Sequence, residues 1–88
     1  MKAIDNGCFF SVQISRKDVE SFKEKWPCNG LPVKPIWAQF DKKNGDLVDL
    51  APSNLEDRGA DGSALSALIN DGRYYAAKKL KLPEICRR

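Results

Sequence analysis

The chain contains no histidine. That removes the side chain whose ordinary pKa lies nearest neutrality, and with it any Ser-His or Cys-His hydrolase. Cysteine is scarce: Cys8, Cys28 and Cys86 are an odd number at wide spacing, with no Cys-x-x-Cys pair. Three scattered thiols without histidine do not make a four-ligand zinc site. Free thiols in a reducing compartment are the expectation. Neither of the glycine-rich phosphate loops, G-x-x-x-x-G-K-[ST] or G-x-G-x-x-G, occurs. No run is long and apolar enough to span a bilayer. The first residues carry one lysine and then a mixed run, without the apolar stretch of a signal peptide. A cytoplasmic location is therefore expected. There are no repeats and no low-complexity tracts. No cofactor is expected.

What is present points to one small domain of 88 residues. Residues 36–50, Ile-Trp-Ala-Gln-Phe-Asp-Lys-Lys-Asn-Gly-Asp-Leu-Val-Asp-Leu, read as a β-hairpin. Asn44-Gly45 between two apolar runs is the signal. A two-residue turn sets Phe40 opposite Asp49 and mixes apolar and charged groups on both faces. A three-residue loop of Lys43, Asn44 and left-handed Gly45 sets Lys42 opposite Asp46. It also sets Phe40 opposite Val48, and Ala38 opposite Leu50. A one-residue slip inverts every side chain, so the second register is preferred. The other face then carries Trp37, Gln39, Asp41, Leu47 and Asp49. Trp37 is either a recognition residue on an exposed face or a ring covered by a loop.

Residues 8–14 alternate, with Cys8, Phe10, Val12 and Ile14 on one side, and read as a strand. Residues 1–7 read as a loose lead-in. Ser15-Arg16-Lys17-Asp18 has the form of a capping box, with Ile14 and Val19 placed as a hydrophobic staple. Val19, Phe22 and Trp26 form the apolar stripe of the helix that follows, and Pro27 ends it near Lys25. Residues 26–32 form a turn. Residues 51–62 are turn-rich and acidic, the expected mobile segment. Asp61 or Ser63 then caps a second helix, in which Leu65, Leu68, Ile69, Gly72, Ala76, Lys79 and Leu80 recur at helical spacing. Gly72 on that face permits close approach to the sheet, although Asn70-Asp71-Gly72 is also a turn signal that would break the helix. Pro83 stops it, leaving residues 83–88 as a basic tail. The expected fold is α+β: a two-layer sandwich in the order β-α-β-β-α, a three-stranded sheet with two helices on one face. If the first two strands are neighbours, a helical crossover makes them parallel.

Charge is uneven along the chain. Residues 73–88 hold six Lys/Arg against one acid, whereas residues 41–72 hold seven acids against three bases. Such a bipolar surface orients a protein on a charged partner. The candidate chemistry is thin. The segment from Asp41 to Asp46 evokes a calcium loop, but lysine stands third, glycine fifth, and no glutamate follows at position twelve. Cys28 would be reactive only beside a positive charge that lowers its pKa, and a packed structural cysteine is the simpler reading. The chain is not expected to be an enzyme.

Lys78, Lys79 and Lys81 with Tyr74 and Tyr75 have the composition of a nucleic-acid contact. Trp37, Arg58, Arg73, Tyr74 and Tyr75 are residue types that dominate protein interfaces. These eight residues are the expected partner-binding set.

Three segments carry a resemblance: Phe22-Lys-Glu-Lys-Trp-Pro-Cys-Asn-Gly-Leu31, Phe40-Asp41 with Asn44-Gly-Asp-Leu-Val-Asp49, and Asp61-Gly-Ser-Ala-Leu-Ser-Ala-Leu68. Together they resemble small uncharacterised proteins encoded on bacterial plasmids, integrative elements and phages. Small proteins of such elements often act as stoichiometric inhibitors of host defence, anti-CRISPR proteins among them. The resemblance therefore implies a protein-binding module that occupies a site on a host complex. A small DNA- or RNA-binding accessory protein is the alternative, and a homodimer built on the hairpin face is a third reading. The resemblance assigns no functional residues.

Overall fold

Two Asn-Gly dipeptides turn the chain back on itself, and between them they set up the sheet. The computed structural model describes residues 1–26, 31, 33–51 and 62–87. Its elements are β1 (Lys2–Asp5), β2 (Phe9–Ile14), α1 (Arg16–Lys25), β3 (Ile36–Asp41), β4 (Leu47–Ala51), α2 (Gly62–Lys79) and a 3₁₀ turn (Glu84–Arg87). The strands form one sheet in the order β1-β2-β3-β4, antiparallel throughout. The fold is α+β, a four-stranded antiparallel sheet with two helices packed against it.

The sheet thus has four strands rather than three. Residues 1–7 are not a loose lead-in, because Lys2–Asp5 pairs along β2, from Lys2 opposite Gln13 to Asp5 opposite Phe10. Gly7 makes the connecting turn at φ +82°, a value that favours glycine. The Asn6 N–H donates to the Phe9 carbonyl (2.9 Å), and the Gly7 N–H donates to the Asp5 carboxylate (3.0 Å).

β2 and β3 are neighbours but antiparallel, contrary to the parallel crossover expected of them. Ile14 stands opposite Ile36, so residues 15–35 leave and re-enter the sheet at the same end. The connection is a hairpin with a helix inside it, not a crossover.

The β3–β4 hairpin keeps part of the expected register and loses part. Ala38 faces Leu50 and Gln39 faces Asp49, as the hydrophobic pattern requires. Phe40, however, faces Leu47 rather than Val48. The loop holds four residues, Lys42 to Gly45, with Gly45 at φ +75°. The Gly45 N–H donates to the Asp41 carbonyl (2.7 Å), and Asp41 N–H to the Asp46 carbonyl (2.9 Å). Asp41 and Asn44 side chains accept from the N–H groups of Lys43 (2.8 Å) and Asp46 (2.9 Å), which winds the loop into a helical turn. A bulge at Val48 absorbs the extra loop residue and restores the register at Asp49. Lys42 pairs with Asp5 across the sheet rather than with Asp46.

One face of the sheet carries the core. Phe10, Val12 and Ile14 stand opposite Phe40, Ala38 and Ile36, and all six are buried. The Phe10 and Phe40 rings stack at 5.2 Å. α1 begins with a complete capping box: the Asp18 N–H donates to Ser15 Oγ (3.2 Å), and the Ser15 N–H donates back to the Asp18 carboxylate (2.9 Å). Val19 joins the core and Phe22 packs against it. Trp26 does not complete that stripe. It is the C-cap of α1, stacks on Phe22 at 5.9 Å and is 44% exposed.

α2 runs unbroken through Asn70-Asp71-Gly72. A Cβ at Gly72 would stand 3.0 Å from Val12 Cγ1 and 3.2 Å from Ile14 Cδ1, so the helix rests on β2 at a position without a side chain. α2 ends in a Schellman motif: Leu82 N–H donates to the Ala77 carbonyl (2.9 Å) and Lys81 N–H to the Lys78 carbonyl (3.2 Å). Lys81 holds the left-handed position of that motif at φ 57°. The chain beyond Pro83 is no free tail, since it forms the 3₁₀ turn and buries Cys86 in the core.

No described helix is long and apolar enough to cross a membrane. Most of the acidic segment at 51–62, the prolyl turn with Cys28, the Asp61 cap and Arg58 lie outside the described residues.

Candidate functional site

On a helix, residues two positions apart point about 200° from one another. Gly72 and Ala76 face the sheet, so Tyr74 and Lys78 face away from it. Tyr74 is 51% exposed, Lys78 is exposed on the same side, and Lys79 and Lys81 are exposed at the end of the helix. Tyr74 and Lys78 are neighbours one helical turn apart. Lys81, turned by its left-handed backbone, follows at the helix end. The three lysines sit where the helix dipole favours positive charge, each by about 0.3–1 kcal/mol at low salt. One end of one helix therefore presents a ring and three cations.

The other expected residues do not join this cluster. Tyr75 is half-buried and packs against the core. Arg73 turns toward the β3–β4 loop, where its Nη1 donates to the Gly45 carbonyl (3.1 Å). Among the described residues, its buried Nε has no hydrogen-bond partner. Arg73 is thus tied into the body of the protein. Trp37 alternates with the core residues Ile36 and Ala38, which places it on the opposite face of the sheet from α2. It is half-buried there, in register with Gln13 on one side and Ala51 on the other. Arg58 is outside the described residues.

Two side chains at the β3–β4 loop serve the backbone, as Asp41 and Asn44 accept from its N–H groups. Among the described residues, no group of three Cys, Asp or Glu side chains is placed to hold a metal ion. Cys8 is exposed and Cys86 is buried, both as free thiols. Asp18 is a carboxylate held by several partners. Burial pushes its pKa up, but bonds from the Met1 amino group and from Ser15 outweigh that and hold it below the ordinary 3.8.

Sequence reasoning missed the far face of the sheet as a unit, because it missed β1. The register lines up Lys2, Gln13, Trp37 and Ala51 as one row across all four strands. The Asn6-Gly7 dipeptide was the available signal, of the same kind as Asn44-Gly45.

Comparison with protein-family models, with curated proteins and with solved structures finds no match to this chain.

Proposed function

We propose that this protein is a non-enzymatic binding module whose recognition surface is the outer, C-terminal end of α2. The observation that carries the reading is the exposed Tyr74 beside Lys78, with Lys79 and Lys81 exposed at the same end of a helix whose other face is buried. Aromatic rings supply large contact area at interfaces, and surrounding charges set partner choice and association rate. The partner this surface fits is a protein with an acidic patch. The resemblance to proteins of mobile elements extends the proposal to a stoichiometric inhibitor that docks on a host defence complex, a CRISPR effector being its most specific form.

Affinity capture from bacterial lysate, with and without nuclease, tests this when wild type is compared with Lys78→Glu/Lys79→Glu/Lys81→Glu. A protein partner that survives nuclease and is lost from the triple variant is the expected result. A partner retained by the folded triple variant removes the α2 surface from the proposal. Partners that vanish with nuclease transfer the same lysines to nucleic-acid binding. In that case affinity falls steeply as salt rises.

A further inference from the structure

The row Lys2–Gln13–Trp37–Ala51 ends in a groove. It lies where β2 passes into α1 and β3 begins, and Arg16 and Pro35 complete its lining. Its volume is about 610 Å³, within the range of about 300–1,000 Å³ typical of small-ligand sites. Trp37, Gln13 and Ala51 all line the groove, and Trp37 is in register with the other two. Among the described residues, the charged side chains in the lining are Lys2 and Arg16, both cations. Arg16 makes only a loose pair with Glu20 (Nε to Oε1, 3.5 Å), with both groups mostly in solvent. Such exposed pairs are weak and are readily given up to a better anion.

We infer that this groove binds a nucleoside phosphate, with the base against Trp37 and the phosphate between Lys2 and Arg16. Three features select that chemistry. The aromatic wall offers a stacking face to any base. The Gln13 amide carries both donors and an acceptor, the complement of a base edge. The two cations in the lining are the groups that a phosphate would meet. The acids on the same face limit the ligand's size: Asp49 stands one row further on and Asp41 beyond it. A phosphate backbone or an acidic peptide running across the sheet would meet them, whereas one nucleotide at the end of the face does not. This site is separate from the α2 surface, and neither proposal depends on the other.

Amide and indole NMR shifts of the labelled protein test the inference. The ligands are AMP, UMP, a 5′-phosphorylated tetranucleotide, inorganic phosphate and a short acidic peptide. Shifts at Lys2, Gln13, Arg16 and the Trp37 indole on adding AMP or UMP are the expected result. Tighter binding of the tetranucleotide would identify a strand end as the source, and equal binding a free nucleotide. Trp37→Leu should weaken binding about tenfold, the effect of losing one stacked base. Arg16→Glu, on an exposed side chain that leaves the fold intact, should weaken it as well. The inference is overturned by no shift at millimolar nucleotide, by equal shifts with inorganic phosphate alone, by shifts with the peptide alone, or by full affinity in Arg16→Glu.

Discussion

The thiol of Cys86 donates to the carbonyl oxygen of Lys42, 3.1 Å away and 44 positions earlier in the chain. Beside it, Arg73 donates to the Gly45 carbonyl. The 3₁₀ turn and α2 therefore grip the β3–β4 loop from two sides. Gly45 is enclosed in that grip: a Cβ there would lie 3.0 Å from the Ile85 carbonyl oxygen and 3.1 Å from Cys86 Cα.

Gly45→Ala meets two obstacles at once. The left-handed backbone at φ +75° costs an L-residue about 1–2 kcal/mol, and the new methyl presses on backbone that has little room to yield. A loss of at least about 2 kcal/mol is expected in urea unfolding. A change below 0.5 kcal/mol, roughly the scatter of neutral surface substitutions, would mean that the loop is not held by the C-terminal turn.

Gly72→Ala sets helix propensity against packing. Alanine gains about 1 kcal/mol in a helix interior, but overpacking against Val12 and Ile14 costs about 1–3 kcal/mol. The methyl contacts of 3.0–3.2 Å decide for the packing term, so a net loss is expected. Gly72→Val should be far worse, because it adds bulk to the same contact. Equilibrium unfolding of the two variants gives the order, and a stabilised Gly72→Ala would show that the sheet yields there.

Lys81→Gly should raise stability by about 0.5–1 kcal/mol. Relief of the left-handed strain, about 1–2 kcal/mol, exceeds the loss of one charge at the helix end, about 0.3–1 kcal/mol. The same change removes one cation of the proposed recognition surface. A thermal melt and a partner-binding assay should then move in opposite directions, with a higher Tm and weaker capture. A fall in Tm would contradict the stated role of this position.

Acid weakens the fold through Asp18. Its folded pKa lies below the ordinary carboxylate value, so its contribution is fully present above the unfolded value and is lost as pH falls through the folded one. Asp5 is shifted in the same direction, by its bond to Lys42 and the Gly7 N–H, but it is exposed. The gap in urea midpoint between wild type and Asp18→Asn should be constant above about pH 5 and close below about pH 4. A gap that persists unchanged at low pH would show that the charge of Asp18 contributes nothing.

Local chemistry was legible wherever one residue type dictates one geometry. Ser15 with Asp18 specified the start of α1, and the alternation from Phe10 to Ile14 specified the buried face of β2. Gly72 marked the contact of α2 with the sheet, whereas composition grouped Tyr74 and Tyr75 with the lysines without separating the exposed ring from the half-buried one. Legibility ended where tertiary context chose between near-equal local options. Ala3 and Ile4 are adjacent and both half-buried, so β1 has no clean alternation to read. Leu47 and Val48 are both apolar, so nothing local says which one opposes Phe40. Trp26 fits an apolar stripe by spacing, yet its position at the C-cap carries it past the core. The groove beside Trp37 combines residues from four strands and a helix start, a juxtaposition that only the sheet register creates.

The bulge at Val48 also bears on how molecules of this protein meet one another. β4 is the outermost strand on its side, and Leu47 and Val48 leave much of their apolar surface in solvent. A straight strand of that kind is a template onto which a second chain can zip. The extra residue breaks the even spacing of amide and carbonyl groups one step into the strand and bends it away from flatness. The irregularity that reconciles a four-residue loop with the buried face thereby guards a sticky border against fibre-like stacking.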